Sequence, residues 1–162
     1  MRIARPLLIL TLFLLAACSR ERIEQPLSDP GFGITAIEVQ AGQDEVDIPV
    51  YMKYTEPVKG IQFTLSWDAT LGDVSQPIMT AKNPNFTVSN NQARDGRMKV
   101  LIFSMHGDAL DLSDAHIFNV PVEITNSEAT QFILSFEDVV FAGPNASSYE
   151  IPVTPADLMV VR

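Results

Sequence analysis

The segment Gly60-Ile61-Gln62-Phe63-Thr64-Leu65-Ser66-Trp67 sorts its side chains into two sets: Ile61, Phe63, Leu65 and Trp67 are apolar, and Gln62, Thr64 and Ser66 between them are polar. Successive side chains of a strand point to opposite faces, so this alternation predicts a strand with its apolar set in a core. Residues 46–52 (VDIPVYM) alternate in the same way, with Pro49 suiting a position that owes the ladder no donor. Residues 97–104 (RMKVLIFS) behave differently. Lys99, Leu101 and Phe103 fall on one side, Met98, Val100 and Ile102 on the other, so both faces are substantially apolar. One of them must lie outside or under a loop, and an exposed apolar stripe beside polar neighbours suits a partner. Further runs start at Ile34, Ile37 and Val39 and recur at residues 86–89, 117–125, 132–141 and 158–161. No stretch of twelve residues keeps a 3.6-residue period. About eight or nine short strands with turns every 8–12 residues predict an all-β sandwich in a single domain, residues 31–162.

The N-terminus follows a different pattern. Arg2 and Arg5 precede an almost wholly apolar run, residues 6–15, about half the ~20 residues a membrane-crossing helix needs. Small residues then lead to the only cysteine of the chain, in Leu15-Ala16-Ala17-Cys18. This arrangement resembles the bacterial lipobox. The resemblance implies that residues 1–17 are a signal peptide, that the Cys18 thiol receives a diacylglycerol, and that the new N-terminus is acylated. The thiolate is the nucleophile such a transfer requires. Residues 18–30, polar and with two prolines, are predicted to be a lipidated tether. The expected location is the cell envelope. The lipobox resemblance also implies sorting: by analogy with enterobacterial lipoproteins, Ser19 in place of a retaining aspartate points to the outer membrane where one exists.

Charge narrows the set of partners. The 162-residue chain carries a formal net charge of −9. The leader holds two of the 11 basic residues and none of the 20 acidic ones, so its removal leaves 9 against 20, or −11. Such a field repels phosphate backbones and disfavours adsorption to anionic lipid. Nucleic acid is therefore not an expected partner, and contact with the membrane is expected through the N-terminal lipid alone. With one cysteine, no disulfide within the chain can form.

Candidate chemistry is sparse. His106 and His116 flank the acidic segment of residues 108–114 (DALDLSD), but their spacing fits no zinc pattern. The segment also lacks the glycine and terminal glutamate of a calcium loop, so it reads as a solvated turn with no metal or cofactor. Ser104-Met105-His106 has no nucleophile elbow around it. Glu137 and Asp138 are adjacent, and in a regular strand they would point to opposite faces rather than converge on a substrate. No enzyme activity is expected, and Trp67, a strand aromatic, is expected in the core rather than on a sugar platform.

The order of the pieces resembles a cohesin domain, over residues 33–161. Ala41-Gly42-Gln43, then Val46 and Ile48-Pro49-Val50, resemble the opening strands of that family. Val58-Lys59-Gly60 through Trp67-Asp68, followed by Leu71 and Val74, is similar to the stretch that ends in the family's aspartate. Asp95-Gly96-Arg97 leading into Val100-Leu101-Ile102-Phe103-Ser104, then Leu112 and Ile117-Phe118-Asn119-Val120, match its turn, its strong central strand and the segment after it. Two positions depart from the pattern: Trp67 takes the aromatic place, and Ala69 replaces the usual residue after the aspartate. The resemblance implies a jelly-roll β-sandwich and a partner bearing a dockerin, a small module with paired calcium loops, often linked to polysaccharide breakdown. This chain has no Asp-x-Asn-x-Asp-Gly loop, so it would be the receptor. By strand position, Leu101 and Phe103 would supply an apolar centre, and Gln62, Thr64, Ser66 and Lys99 polar contacts. The same fold serves carbohydrate-binding modules, so a polysaccharide ligand, or a structural envelope role without a dockerin, stays open. One tryptophan and three tyrosines (Tyr51, Tyr54, Tyr149) are few for a glycan platform.

Overall fold

The computed structural model describes residues 28–34, 37–40, 45–91 and 94–161. The expected signal peptide, the lipidation site Cys18 and nearly all of the tether lie outside the described residues.

Two sheets face each other. In chain order the strands are β1 (Gly31–Gly33), β2 (Ile37–Gln40), β3 (Val46–Lys53), β4 (Gly60–Ser66), β5 (Asp73–Val74), β6 (Ile78–Met79) and β7 (Phe86–Asn90). They continue with β8 (Arg97–Ser104), β9 (His116–Glu123), β10 (Gln131–Ala142), β11 (Ser148–Tyr149), β12 (Val153–Thr154) and β13 (Ala156–Val161). One sheet runs β12-β1-β3-β9-β5, with β6 also on β9; the other runs β2-β13-β10-β4-β8-β7, with β11 on β10. The all-β sandwich expected from the alternation is what forms, and each of the eight longer runs is a strand. The extra segments include four two-residue strands, β5, β6, β11 and β12, too short to show any alternation. Ladders are antiparallel except β1 with β12 and β13 with β2.

The core is aromatic at its centre. Ile61, Phe63 and Leu65 are fully buried and Trp67 is 8% exposed, so the apolar set of β4 faces inward as predicted. Opposite it, Phe118 stacks on Phe63 at 5.7 Å with the rings nearly parallel. Phe32 reaches Phe63, Phe118, Phe136 and Phe141 at centroid separations of 5.0–6.2 Å, closing the space between the sheets. Its strand owes its place to Gly33, where a Cβ would stand 2.1 Å from the Thr154 carbonyl oxygen. Only a residue without that atom lets β12 pair so closely.

Two irregularities change which side chains face outward. On β9, Tyr51 pairs with His116 while Val50 pairs with Phe118, so Ile117 is an inserted residue. On β10, Glu137 pairs with Thr64 and Val140 with Gln62, so one extra residue is accommodated at Asp138-Val139, where Asp138 has φ 51. Such bulges shift the phase of a strand by one residue. The expectation that Glu137 and Asp138 simply alternate is therefore corrected, because the left-handed backbone at Asp138 interrupts the pleat between them.

Candidate partner-binding face

The register of β10, β4, β8 and β7 gathers the six predicted contact residues on one outer face. Gln62 lies opposite Leu101, Thr64 opposite Lys99, and Gly60 opposite Phe103, while Ser66 pairs with Arg97. Inward, Met98, Val100 and Ile102 are buried, so the apolar side of β8 left outside is the one bearing Leu101 and Phe103. A hairpin turn sets this phase: Asp95 (φ 49) and Gly96 (φ 72) are both left-handed, the geometry of a two-residue turn of the primed type. Arg94 and Arg97 bridge its ends.

Across the four strands, side chains stand in rows. Val140, Gln62, Leu101 and Ser89 form one, and Ala142, Gly60, Phe103 and Thr87 the next. Leu101 is 42% exposed and Val140 46%, with Phe103 half-buried beside them over the side-chain-free Gly60. Further along, Glu137, Thr64 and Lys99 form a polar row, and Arg97 pairs diagonally with Glu137. The Lys99 backbone N–H donates to Asn91 Oδ1 at 2.6 Å. A shallow depression of about 280 Å³ lies here, lined by Gln62, Ser89, Asn90, Asn91, Lys99, Val100 and Leu101.

Thr64 needs a correction: it lies on the outer face but is only 9% exposed, walled in by neighbours on β8 and β10, so it forms floor rather than contact surface. Val140 was not foreseen. Strict alternation from Phe132 puts residue 140 among the inward positions, and only the bulge turns it out.

Other sequence candidates are structural. Trp67 is buried and its indole N–H donates to the Gly72 carbonyl at 3.1 Å, so this ring is not a platform for a sugar. His116 shares a hydrogen bond of 2.8 Å with Asn119 and sits 5.4 Å from the Tyr51 ring, while His106 is exposed in a loop. Within residues 108–114, Asp108 accepts from Ser104 and Asn85, and Asp111 accepts from the Ser113 N–H. Among the described residues no three His, Cys, Asp or Glu side chains converge as metal ligands.

Lys82 pairs with Asp114 at 2.6 Å, and that hydrogen bond holds the Asp114 carboxyl below its ordinary value of 3.8. A depressed value in the folded state means that its contribution to stability is present above the ordinary value and is lost as pH falls through the lower one. Asp114→Asn is thus expected to make stability less sensitive to acid below about pH 4. Urea midpoints at pH 3 and pH 6 check this: their separation should shrink in the variant, and an unchanged separation would refute it.

No protein-family model matches the chain, and no curated protein matches it. Among solved structures, it is similar to the sixth cohesin of Acetivibrio cellulolyticus scaffoldin B in complex with a Cel5 dockerin mutant. There the TM-score is 0.70 at 20% identity, over 83% of this chain and 100% of that one. It is also similar to the OlpC cohesin of Clostridium thermocellum in complex with dockerin 435, with TM-score 0.65 at 16% identity over 86% and 96% of the two chains. A non-cellulosomal cohesin from the archaeon Archaeoglobus fulgidus matches at TM-score 0.65 and 15% identity, over 83% and 93%. At these identities the likeness is one of fold: the β-sandwich described above is the sandwich of cohesin modules.

Proposed function

We propose that this chain is a protein-binding module that captures a dockerin-bearing partner on the β10-β4-β8-β7 face, and that a lipid on Cys18 holds it at the cell envelope. The observation that carries the reading is an outer face on a cohesin-type sandwich where the exposed Leu101 and the half-buried Phe103 lie together on β8, with Gln62 between them and the exposed Val140 and with Ser66, Ser89 and Lys99 around them. An apolar centre with a polar rim is the anatomy of a protein interface. A role in polysaccharide breakdown would come through the enzyme or scaffold that the dockerin belongs to.

The test presents the intact, detergent-solubilised chain to a panel of dockerin modules with calcium and with chelator, and separately to insoluble polysaccharides. Calcium-dependent capture of a dockerin is expected, because the loops of that partner fold around the metal. Retention on polysaccharide without dockerin capture would replace this reading with glycan binding, and neither would leave a structural envelope role. For the anchor, mass spectrometry of the mature N-terminus is expected to find acylated Cys18, with sorting to the outer membrane where one exists. An unmodified Cys18 in soluble protein would overturn it.

A further inference from the structure

The acidity of the chain is not concentrated on this face. Although the net charge is −9, the charged side chains described on the strands of the β10-β4-β8-β7 face include Arg97 and Lys99 beside Glu137 and the exposed bulge residue Asp138. Arg97 is neutralised by Glu137, so one exposed cation, Lys99, is left over. It lines the 280 Å³ depression together with Gln62 and Ser89. Among the described residues, none of these three side chains has a hydrogen-bonding or ionic partner. The strand beneath them is held in place, because Asn91 and Lys99 exchange hydrogen bonds, side chain to backbone at 2.6 Å and backbone to backbone at 3.1 Å.

From this geometry we infer that the depression takes a carboxylate of the partner, an Asp or Glu side chain carried about one helical turn from an apolar anchor. This rests on the dockerin-capture reading of the same face and adds the chemistry of the partner. Lys99 stands diagonal to Gln62 on one side and to Ser89 on the other, so a single carboxylate paired with its ammonium accepts a second hydrogen bond from one of these neutral donors. A polyanion is disfavoured by the acidic chain around it. The spacing follows from the two kinds of backbone. Lys99 and Leu101 are two residues apart on β8, about 6.6–6.8 Å along the strand. Four residues of a helix rise about 6 Å, so a helix lying along β8 with an apolar residue on Leu101 brings a carboxylate four positions away over Lys99.

The experiment uses the intact chain and the calcium-loaded dockerin that binds it tightest in the capture panel. Affinities are measured for the unaltered chain and for Lys99→Met, Lys99→Gln, Lys99→Glu and Leu101→Asp, against that dockerin and against versions with each exposed helix carboxylate changed to its amide. Lys99→Met and Lys99→Gln are expected to weaken binding about tenfold and Lys99→Glu more, with thermal melts unchanged because the side chain is exposed. One amide change should weaken binding to the unaltered chain about tenfold and weaken binding to Lys99→Met no further, which identifies the paired carboxylate. If all three Lys99 variants bind within twofold while Leu101→Asp fails, the carboxylate site is refuted and the face stands. If Lys99 and Leu101 variants both bind normally, the face falls with it. Capture of no dockerin at all removes the partner reading and this inference together.

Discussion

Phe63→Ala is expected to destabilise the fold by about 3–5 kcal/mol. The ring is fully buried, stacked on Phe118 and in contact with Phe32 and Phe136, so its loss opens a cavity at the seam between the sheets. Neighbouring aromatic rings cannot collapse into such a hole without leaving their own partners. Since a domain of this size is stable by about 5–15 kcal/mol, the loss is a large part of the whole. The internal control is the adjacent residue: Gln62 points outward, and Gln62→Ala is expected to cost less than about 1 kcal/mol. Urea melts of the two variants decide the matter. A larger loss for Gln62→Ala would mean that β4 is one residue out of phase.

Leu101→Asp is expected to weaken partner capture by at least about 2 kcal/mol, roughly 30-fold, while leaving the fold intact. The side chain is 42% exposed at the centre of the row from Val140 to Ser89, where a docked partner would exclude water from it. A carboxylate there would be desolvated against apolar surface, and the nearest cation, Lys99, would be diverted from the partner. Because the residue is already in water in the free chain, its melting transition should shift little. Undiminished capture would move the interface off this face, and loss of the melting transition would show that Leu101 supports the core instead.

Much of the candidate site was legible in the chain before any fold was known. The alternation of residues 60–67 placed Phe63 inside and Gln62 outside, and the double apolar character of residues 97–104 required one apolar side of β8 to lie outside or under a loop. Both inferences depend only on the pleat, which repeats every two residues wherever a strand runs regularly. They failed where regularity failed. Val140 and the phase of Glu137 depend on the bulge at Asp138, and no residue type there announces a left-handed backbone as glycine would.

What the sequence by itself determined is therefore local: strand positions, their inward and outward sets, and an acidity that disfavours polyanionic partners. The tertiary structure alone decided which apolar side of β8 meets the other sheet. It alone brought Phe32, from a three-residue strand with no readable pattern, to the centre of four other phenylalanines. It also set Lys99 free by giving Arg97 to Glu137, 40 residues further along the chain. The division has a physical reason. Side-chain alternation follows from the backbone of one strand, whereas burial of a two-faced strand, and the pairing of charges across it, depend on which strands lie alongside and over it.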